Sequence, residues 1–361
     1  MRLLGLALVS CVALAAPAGA QRVAVEALAD IELWETDDSS RLLARNDGRA
    51  LLAGRLHVWL AARLAESLEL RALGMGEAGT GDEEADASLQ LLSLRYGRSR
   101  AFVAEGGKIL YPIGAFAARR FSNTNPLIGA PDLYAPQYPE GVVLSGASGP
   151  LDYRAAAVSL PLVNPRYTPK PGRRIRPVAG VGVSAGPGFR VGVAATRGPY
   201  LSEDLQALLP PGAAWKDFGQ LIIAADARYS AGYIVARAEA AWSSYEVPTV
   251  ADVVKGFGWY GEIRGTVTPR LFVAARYENS KYAFIRPVSP SFWVGSATRQ
   301  INGEIGAGYR FSPDALLKTS FRRDHWPVQT SPSGARFPDG YALAVQFSQR
   351  VDVMGLLEGK Y

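Results

Sequence analysis

Thr298-Arg-Gln-Ile-Asn-Gly-Glu-Ile-Gly-Ala-Gly-Tyr-Arg-Phe311 changes character at almost every step. An extended backbone turns successive side chains to opposite faces. Ile301, Ile305, Ala307, Tyr309 and Phe311 therefore share one wall, and Asn302, Glu304 and Arg310 share the other. The stretch is predicted to be a strand with an apolar, aromatic-ended face backed by a charged one. The same alternation recurs at 340–353, where Tyr341, Leu343, Val345, Phe347, Val351 and Val353 oppose Gln346, Ser348 and Arg350. In 255–268, Phe257, Trp259, Ile263 and Val267 oppose Tyr260, Glu262 and Arg264; in 218–230, Leu221, Ile223, Ala225, Ala227 and Tyr229 oppose Asp226 and Arg228.

A water-soluble sandwich would turn its charged walls outward. The number of strands and an export signal select the opposite solution, an all-β closed antiparallel transmembrane barrel with its apolar wall on lipid and its charged wall on a wet lumen. Residues 1–20 carry the signal: Arg2 is the positive start, Leu3 to Ala16 the apolar run, and Ala18-Gly19-Ala20 the small-residue cleavage site before Gln21. The mature region 21–361 is then one barrel domain. Cys11, the single cysteine, lies inside the signal, so disulfides and cysteine metal sites are not available to the mature chain. No apolar run approaches the roughly 18 residues that a membrane-spanning helix needs, which leaves the barrel as the way to cross.

Composition fits this reading. The 361 residues are 48% hydrophobic and include 38 glycines and 24 prolines. The formal charge of +6 is spread along strands rather than gathered in a patch, which argues for an anion-favouring lumen and basic loops over nucleic-acid binding. Strands are expected at 23–35, 50–61, 66–75, 87–96, 100–109, 141–148, 153–160, 176–186, 188–197, 218–230, 232–246, 255–268, 270–282, 298–311, 315–326 and 340–353, about sixteen, an even number as such barrels require. After the second strand the links alternate short and long, the long ones at 76–86, 110–140, 161–175, 198–217, 247–254, 283–297 and 327–339. That parity places short turns and both termini on the periplasmic side and long loops outside. Tyr96, Tyr153, Tyr229, Tyr309 and Phe311 lie by short turns, and Trp34, Trp59, Trp242, Tyr245 and Trp326 by long loops, as two interfacial girdles.

Gly107-Lys108-Ile109-Leu110-Tyr111-Pro112-Ile113-Gly114 leads into the longest loop, and turns such as Thr268-Pro269-Arg270 and Phe311-Ser312-Pro313-Asp314 join the strands. In these features the chain resembles bacterial outer-membrane porins, general or phosphate-selective. The resemblance implies outer-membrane localisation in a Gram-negative cell, contact with lipid and lipopolysaccharide, handling by periplasmic chaperones and barrel-assembly machinery, and homotrimerisation. It also implies a third external loop folded into the bore. The chain departs from such barrels at its end, since Val351-Asp352-Val353 is followed by Met354–Tyr361 rather than closing on an aromatic.

Function is expected on the lumen wall. Same-face pairs of opposite sign recur: Glu69 with Arg71, Asp226 with Arg228, Arg237 with Glu239, Glu262 with Arg264, Arg276 with Glu278, and Arg322 with Asp324. Arg95, Glu304, Arg310 and Arg350 complete the predicted wall. These pairs serve either as a charge-cancelling scaffold or as solute contacts. In the loop 110–140, Arg119, Arg120 and Asp132, with Lys108 before it, are the candidate constriction residues; the alternative is a solvated surface loop. Lys170, Arg173, Arg174 and Arg176 are candidate lipopolysaccharide contacts, and Asp82-Glu83-Glu84 with Asp86 candidate cation contacts. No cofactor, metal or catalytic site is expected, because the chain has only His57 and His325, and Glu105-Gly106-Gly107-Lys108 lacks the first glycine and the following Ser or Thr of a phosphate loop. The expected function is passive diffusion of small hydrophilic solutes with mild anion preference. The alternative is a loop-plugged barrel acting as a structural or adhesion protein, or as a membrane-embedded hydrolase.

Overall fold

The computed structural model describes residues 23–37, 50–79, 85–133, 137–159, 174–201, 203–289, 292–330 and 338–357. The expected signal, 1–20, and the acidic run Asp82-Glu83-Glu84 lie outside these residues. Sixteen strands follow one another: β1 Val23–Thr36, β2 Leu51–Ala65, β3 Leu68–Ala78, β4 Ala85–Ser99, β5 Phe102–Lys108, β6 Glu140–Ser148, β7 Leu151–Ser159 and β8 Ile175–Ser184. The second half is β9 Phe189–Pro199, β10 Gly219–Ala231, β11 Ile234–Tyr245, β12 Val254–Thr266, β13 Leu271–Ser289, β14 Phe292–Arg310, β15 Ala315–Thr330 and β16 Gly340–Asp352. A short helix α1, Val353–Leu357, closes the described chain and packs on β1.

Each strand pairs antiparallel with its sequence neighbours, and β1 pairs with β16 through Ile31↔Phe347 and its flanking residues, so the sheet closes. Closure matters because a lipid-facing strand edge would leave backbone N–H and C=O groups without water. Burial is inverted relative to a soluble domain. Asp324, Lys318, Glu262 and Arg276 are buried, whereas Ile305 is 61% exposed and Leu343 and Phe347 are exposed beside it. The parity read from 298–311 holds, with Asn302 and Glu304 inward and Ile305 and Tyr309 outward.

Turns of two to four residues join the strands at one end, and longer connections at the other, with one difference from expectation. The described residues of 283–297 are strand and not loop: β13 runs on to Ser289 and β14 starts at Phe292, paired at Ala283↔Ala297 and Ile285↔Val294 with register shifts. β-branched and aromatic residues such as Ile285, Trp293 and Val294 favour extended pairing, which carries the ladder past the predicted ends.

The aromatic girdles divide. Tyr96, Tyr153, Tyr229, Tyr309 and Phe311 are exposed on the outer wall by short turns, as expected. Trp34, Tyr245 and Trp326 are buried on the inward parity, and Trp59 stacks inside against His57 and Phe121. Of that group Trp242 alone falls on the outward parity. Nearness to a loop does not choose the face of a strand; parity does, and Trp34 shares the parity of Glu32, to whose carboxylate its Nε1 donates at 2.7 Å.

Two outcomes follow from this wall. Ile305→Arg places a guanidinium on the lipid face and should lower unfolding free energy by about 2–4 kcal/mol in lipid vesicles, measured by denaturant titration. Between β15 and β16, Asp339 sits with Oδ2 2.6 Å from His325 Nδ1 and accepts the Trp326 N–H at 2.9 Å. Partial burial pushes the Asp339 carboxyl up, but the contacts from His325 and Trp326 outweigh it and hold the carboxyl below its ordinary value. The fold therefore favours the charged form. This clasp should hold at neutral pH and release as pH falls through the lowered Asp339 value, seen as faster amide exchange at Trp326.

Candidate functional site

Where β5 ends, Gly107 takes φ 127°, and a Cβ there would collide with the Leu92 carbonyl oxygen. The chain leaves the wall at this point and residues 109–133 lie across the inside of the barrel. Ile109, Tyr111, Ile113, Phe116 and Leu133 pack on inward side chains Val158, Val178, Ala194, Ile222, Ala224 and Ala241, contributed by β7 to β11. An apolar patch on a wet wall has an unmet hydrophobic driving force, and the segment covers it. Phe116 adds an edge-on contact to the Tyr260 ring.

Polar contacts fix the same segment to β11–β15. Wall carboxylates accept its backbone N–H groups: Glu239 that of Ala115 at 2.9 Å, Glu304 that of Gly129 at 2.9 Å and Glu278 that of Asp132 at 2.8 Å. Wall cations donate to its carbonyls: Lys318 to Asn125 and Leu127 at 3.1 and 3.0 Å, Arg276 to Gly129 at 2.9 Å and Arg322 to Ala130 at 3.1 Å. Gly129 has no side chain to keep its backbone from the Glu304 carboxylate.

The strand register organises these charges into one cross-strand row: Arg190, Arg228, Arg237, Glu262, Arg276, Glu304 and Arg322, each directly opposite the next on β9 to β15. From Arg237 onward the signs alternate, and ion pairs follow. Arg276 reaches Glu262 at 2.7 Å and Glu304 at 3.1 Å, and Arg237 reaches Glu262 at 3.3 Å. Arg190, Arg228 and Arg237 form a run of like charge, which directly opposed residues ordinarily avoid. Arg190 is compensated by Asp152 and Asp226, while Arg228 has no ion pair among the described residues.

Among the sequence-adjacent pairs, Arg322 with Asp324 at 3.0 Å is an ion pair in the described structure. The other bridges cross strands: Arg71 to Glu105 at 3.3 Å, Arg95 to Glu69 at 3.8 Å, and Arg276 to its neighbours on both sides. The reason is distance, since residues i and i+2 stand roughly 6.6–6.8 Å apart along a strand and opposed residues only about 4.5–5.5 Å. Arg264 lies over the Phe272 ring at 4.4 Å, Arg310 approaches the Asn123 carbonyl, and Arg350 pairs with Asp314 at 2.9 Å.

Arg119 pairs with Glu262 at 2.9 Å and donates to the Tyr260 hydroxyl at 3.0 Å. Asp132 holds Arg322 and Asn302. Arg120 points to the other side, between the Phe121 and Tyr138 rings, donating to the Tyr138 hydroxyl and Gln90. Lys108 donates to the Leu89 carbonyl of β4, apart from those contacts. Arg176 is buried against Thr196 and the Gln220 carbonyl, not a surface lipopolysaccharide contact, because its position in β8 faces inward beside the apolar patch. Arg174 lies over the Trp215 ring, and Lys170 and Arg173 lie outside the described residues.

A cavity of about 260 Å³ remains between the segment and the opposite wall, lined by Arg120, Phe121 and Ser122 on one side and by Asp30, Glu32, Arg55, His57 and Glu77 on the other. Arg55 bridges Glu32 and Glu77, each at 3.4 Å. The sequence reading missed Lys318, Arg55, Glu32 and the apolar patch. Lys318 shares the parity of Arg322 and Asp324, and Glu32 that of Asp30, so alternation carries a signal for both.

The geometry defines a sixteen-strand outer-membrane-type barrel with an inward-folded segment after its fifth strand. The sequence matches no protein-family model and no curated protein. Solved structures share the fold. The anion-selective porin from Comamonas acidovorans superposes with TM-score 0.62 at 10% identity, covering 92% of this chain and 100% of that one. OmpF of Salmonella typhi, in complex with daunomycin, gives 0.58 at 12% identity over 92% and 98%. A loop-deletion mutant of OmpT, an outer membrane protein of Vibrio cholerae, gives 0.57 at 12% over 92% and 100%.

Arg276 is the keystone of this site. Arg276→Ala leaves Glu304 buried without its cation and Glu262 with Arg119 and Arg237 alone, and removing one partner of a buried ion pair typically costs about 3–5 kcal/mol. The folded variant should become cleavable by trypsin after Arg119 or Arg120, seen as two fragments on a gel, while the parent protein resists.

Proposed function

We propose that the protein is an outer-membrane porin, a passive diffusion channel for small hydrophilic solutes with a mild preference for anions. The observation that carries this reading is the inner wall: charged and polar over most of its circumference, with a pinned segment narrowing the bore and, in the like-charged arginine run, Arg228 without an ion pair among the described residues. Large barrels leave a lumen that side chains do not fill. Arg119, Arg120 and Asp132 form the constriction on this reading, with Arg120 facing the remaining space and Arg119 neutralised by Glu262. Basic groups in a confined, poorly hydrated passage raise the local concentration of anions. Export through the 1–20 signal, a homotrimeric assembly, and contact with lipopolysaccharide and the assembly machinery belong to the same proposal, as does the absence of enzymatic activity.

A second reading has its own observation. Tyr200, Leu201, Leu209, Tyr245, Val247, Ile285 and Trp293 bury one another at the long-loop end, a small core that favours a plugged barrel. Reconstitution in planar bilayers separates the two. The channel reading expects stepwise ohmic conductance; a sealed bilayer at every voltage supports the plug.

In a KCl gradient the reversal potential should indicate modest anion preference that weakens as salt shortens the Debye length below about 10 Å. Arg120→Ala with Arg228→Ala should move that potential toward cations more than Arg119→Ala does, since Glu262 keeps Arg237 and Arg276 as partners. A larger shift in Arg119→Ala would remove Arg228 and Arg120 from the selectivity path.

A further inference from the structure

At the short-turn end of β2–β5 a pocket of about 450 Å³ is lined by Arg63, Arg95, Arg98 and Arg100 with Glu66 and Glu69. Four guanidiniums meet two carboxylates there. Arg95 reaches Glu69 at 3.8 Å, while Arg63, Arg98 and Arg100 have no ion pair among the described residues. The backbone that carries them is tied on several sides. The Gly97 N–H donates to Ser67 at 2.9 Å, the Ala147 N–H to the Arg100 carbonyl at 2.8 Å, and the Tyr153 hydroxyl to the Ala101 carbonyl at 2.7 Å. Cations gathered around one pocket repel one another, and an anion entering it relieves that repulsion. Glu69 and Arg95 lie on the inward parity of their strands, and Arg63, Glu66, Arg98 and Arg100 lie at the strand ends and turns beside them, so the pocket faces the water at the short-turn mouth. Guanidinium forks match phosphate oxygens pairwise.

We propose that this pocket binds a free phosphate-bearing solute with two or more negative charges at the short-turn mouth, separate from the bore and independent of whether the bore conducts. The probe is inorganic pyrophosphate, titrated calorimetrically into the full chain folded in neutral detergent. One saturable site per chain is expected, weakening with added salt, and weakened about tenfold or more in Arg98→Ala with Arg100→Ala, as loss of charge-assisted pairs predicts. Glu66→Gln should tighten binding by removing the one negative charge that lacks a cation partner. Arg270→Ala, which removes one arginine charge from another turn at this end, should leave it unaltered. Absence of saturable binding, equal affinity in the double variant, weaker binding in Glu66→Gln, or an equal loss in Arg270→Ala would overturn the site. Repeating the titration in phosphatidylglycerol nanodiscs tests the source of the phosphate: unchanged affinity supports a solute, and competition by the lipid overturns it in favour of a headgroup.

Discussion

Arg276 lies with its side chain wholly out of water between Glu262 and Glu304, and the shape of the bore depends on that contact. A single buried guanidinium would be prohibitive. Two carboxylates, the Asn125 amide oxygen and the Gly129 carbonyl occupy its donors, which is what makes burial tolerable. The same two carboxylates then hold Arg119, Arg237 and the Gly129 N–H. The inward segment is attached to the wall through a network whose members lose their partners together.

A second constraint acts on the adjoining part of the wall. β7 to β11 present Val158, Val178, Ala194, Ile222, Ala224 and Ala241 inward, where a water-filled barrel ordinarily keeps polar groups. Ile109, Tyr111, Ile113 and Phe116 cover them. Apolar contact supplies area and charge supplies position, and the division explains why the segment crosses to one side and leaves the cavity by β1–β3 open.

Much of the barrel was legible because period-two alternation is local: Ile305, Glu304 and their neighbours declare their faces without knowledge of any partner. The order of charges along the row was not legible, since it depends on which residue of one strand stands opposite which residue of the next, and Arg228 opposite Arg237 appears nowhere in a single strand. The apolar patch hid for a related reason. Ile222 and Ala224 beside Ile223 and Ala225 look like a strand with two apolar faces, and only the loop that covers one of them gives the pattern meaning. Trp34 and Trp326 misled because their place in the chain marks depth, not direction. Arg119 stood out in the sequence as a candidate constriction residue, but its partner Glu262 lies 143 residues away and no local pattern joins the two.

The distances along the chain bear on how the protein comes to be made. The segment leaves the wall after β5, yet its anchors lie on strands up to β15, with Lys318 gripping Asn125 across 193 residues. Those anchors are synthesised last. Until the sheet has formed around it, the segment has no seat, and Ile109, Tyr111 and Phe116 travel uncovered. Contacts of such long sequence separation form late and slowly, and exposed apolar stretches aggregate in the interval. Seating of the inward segment thus waits on closure of the sheet, and the residues left uncovered until then are the very ones that later line the interior.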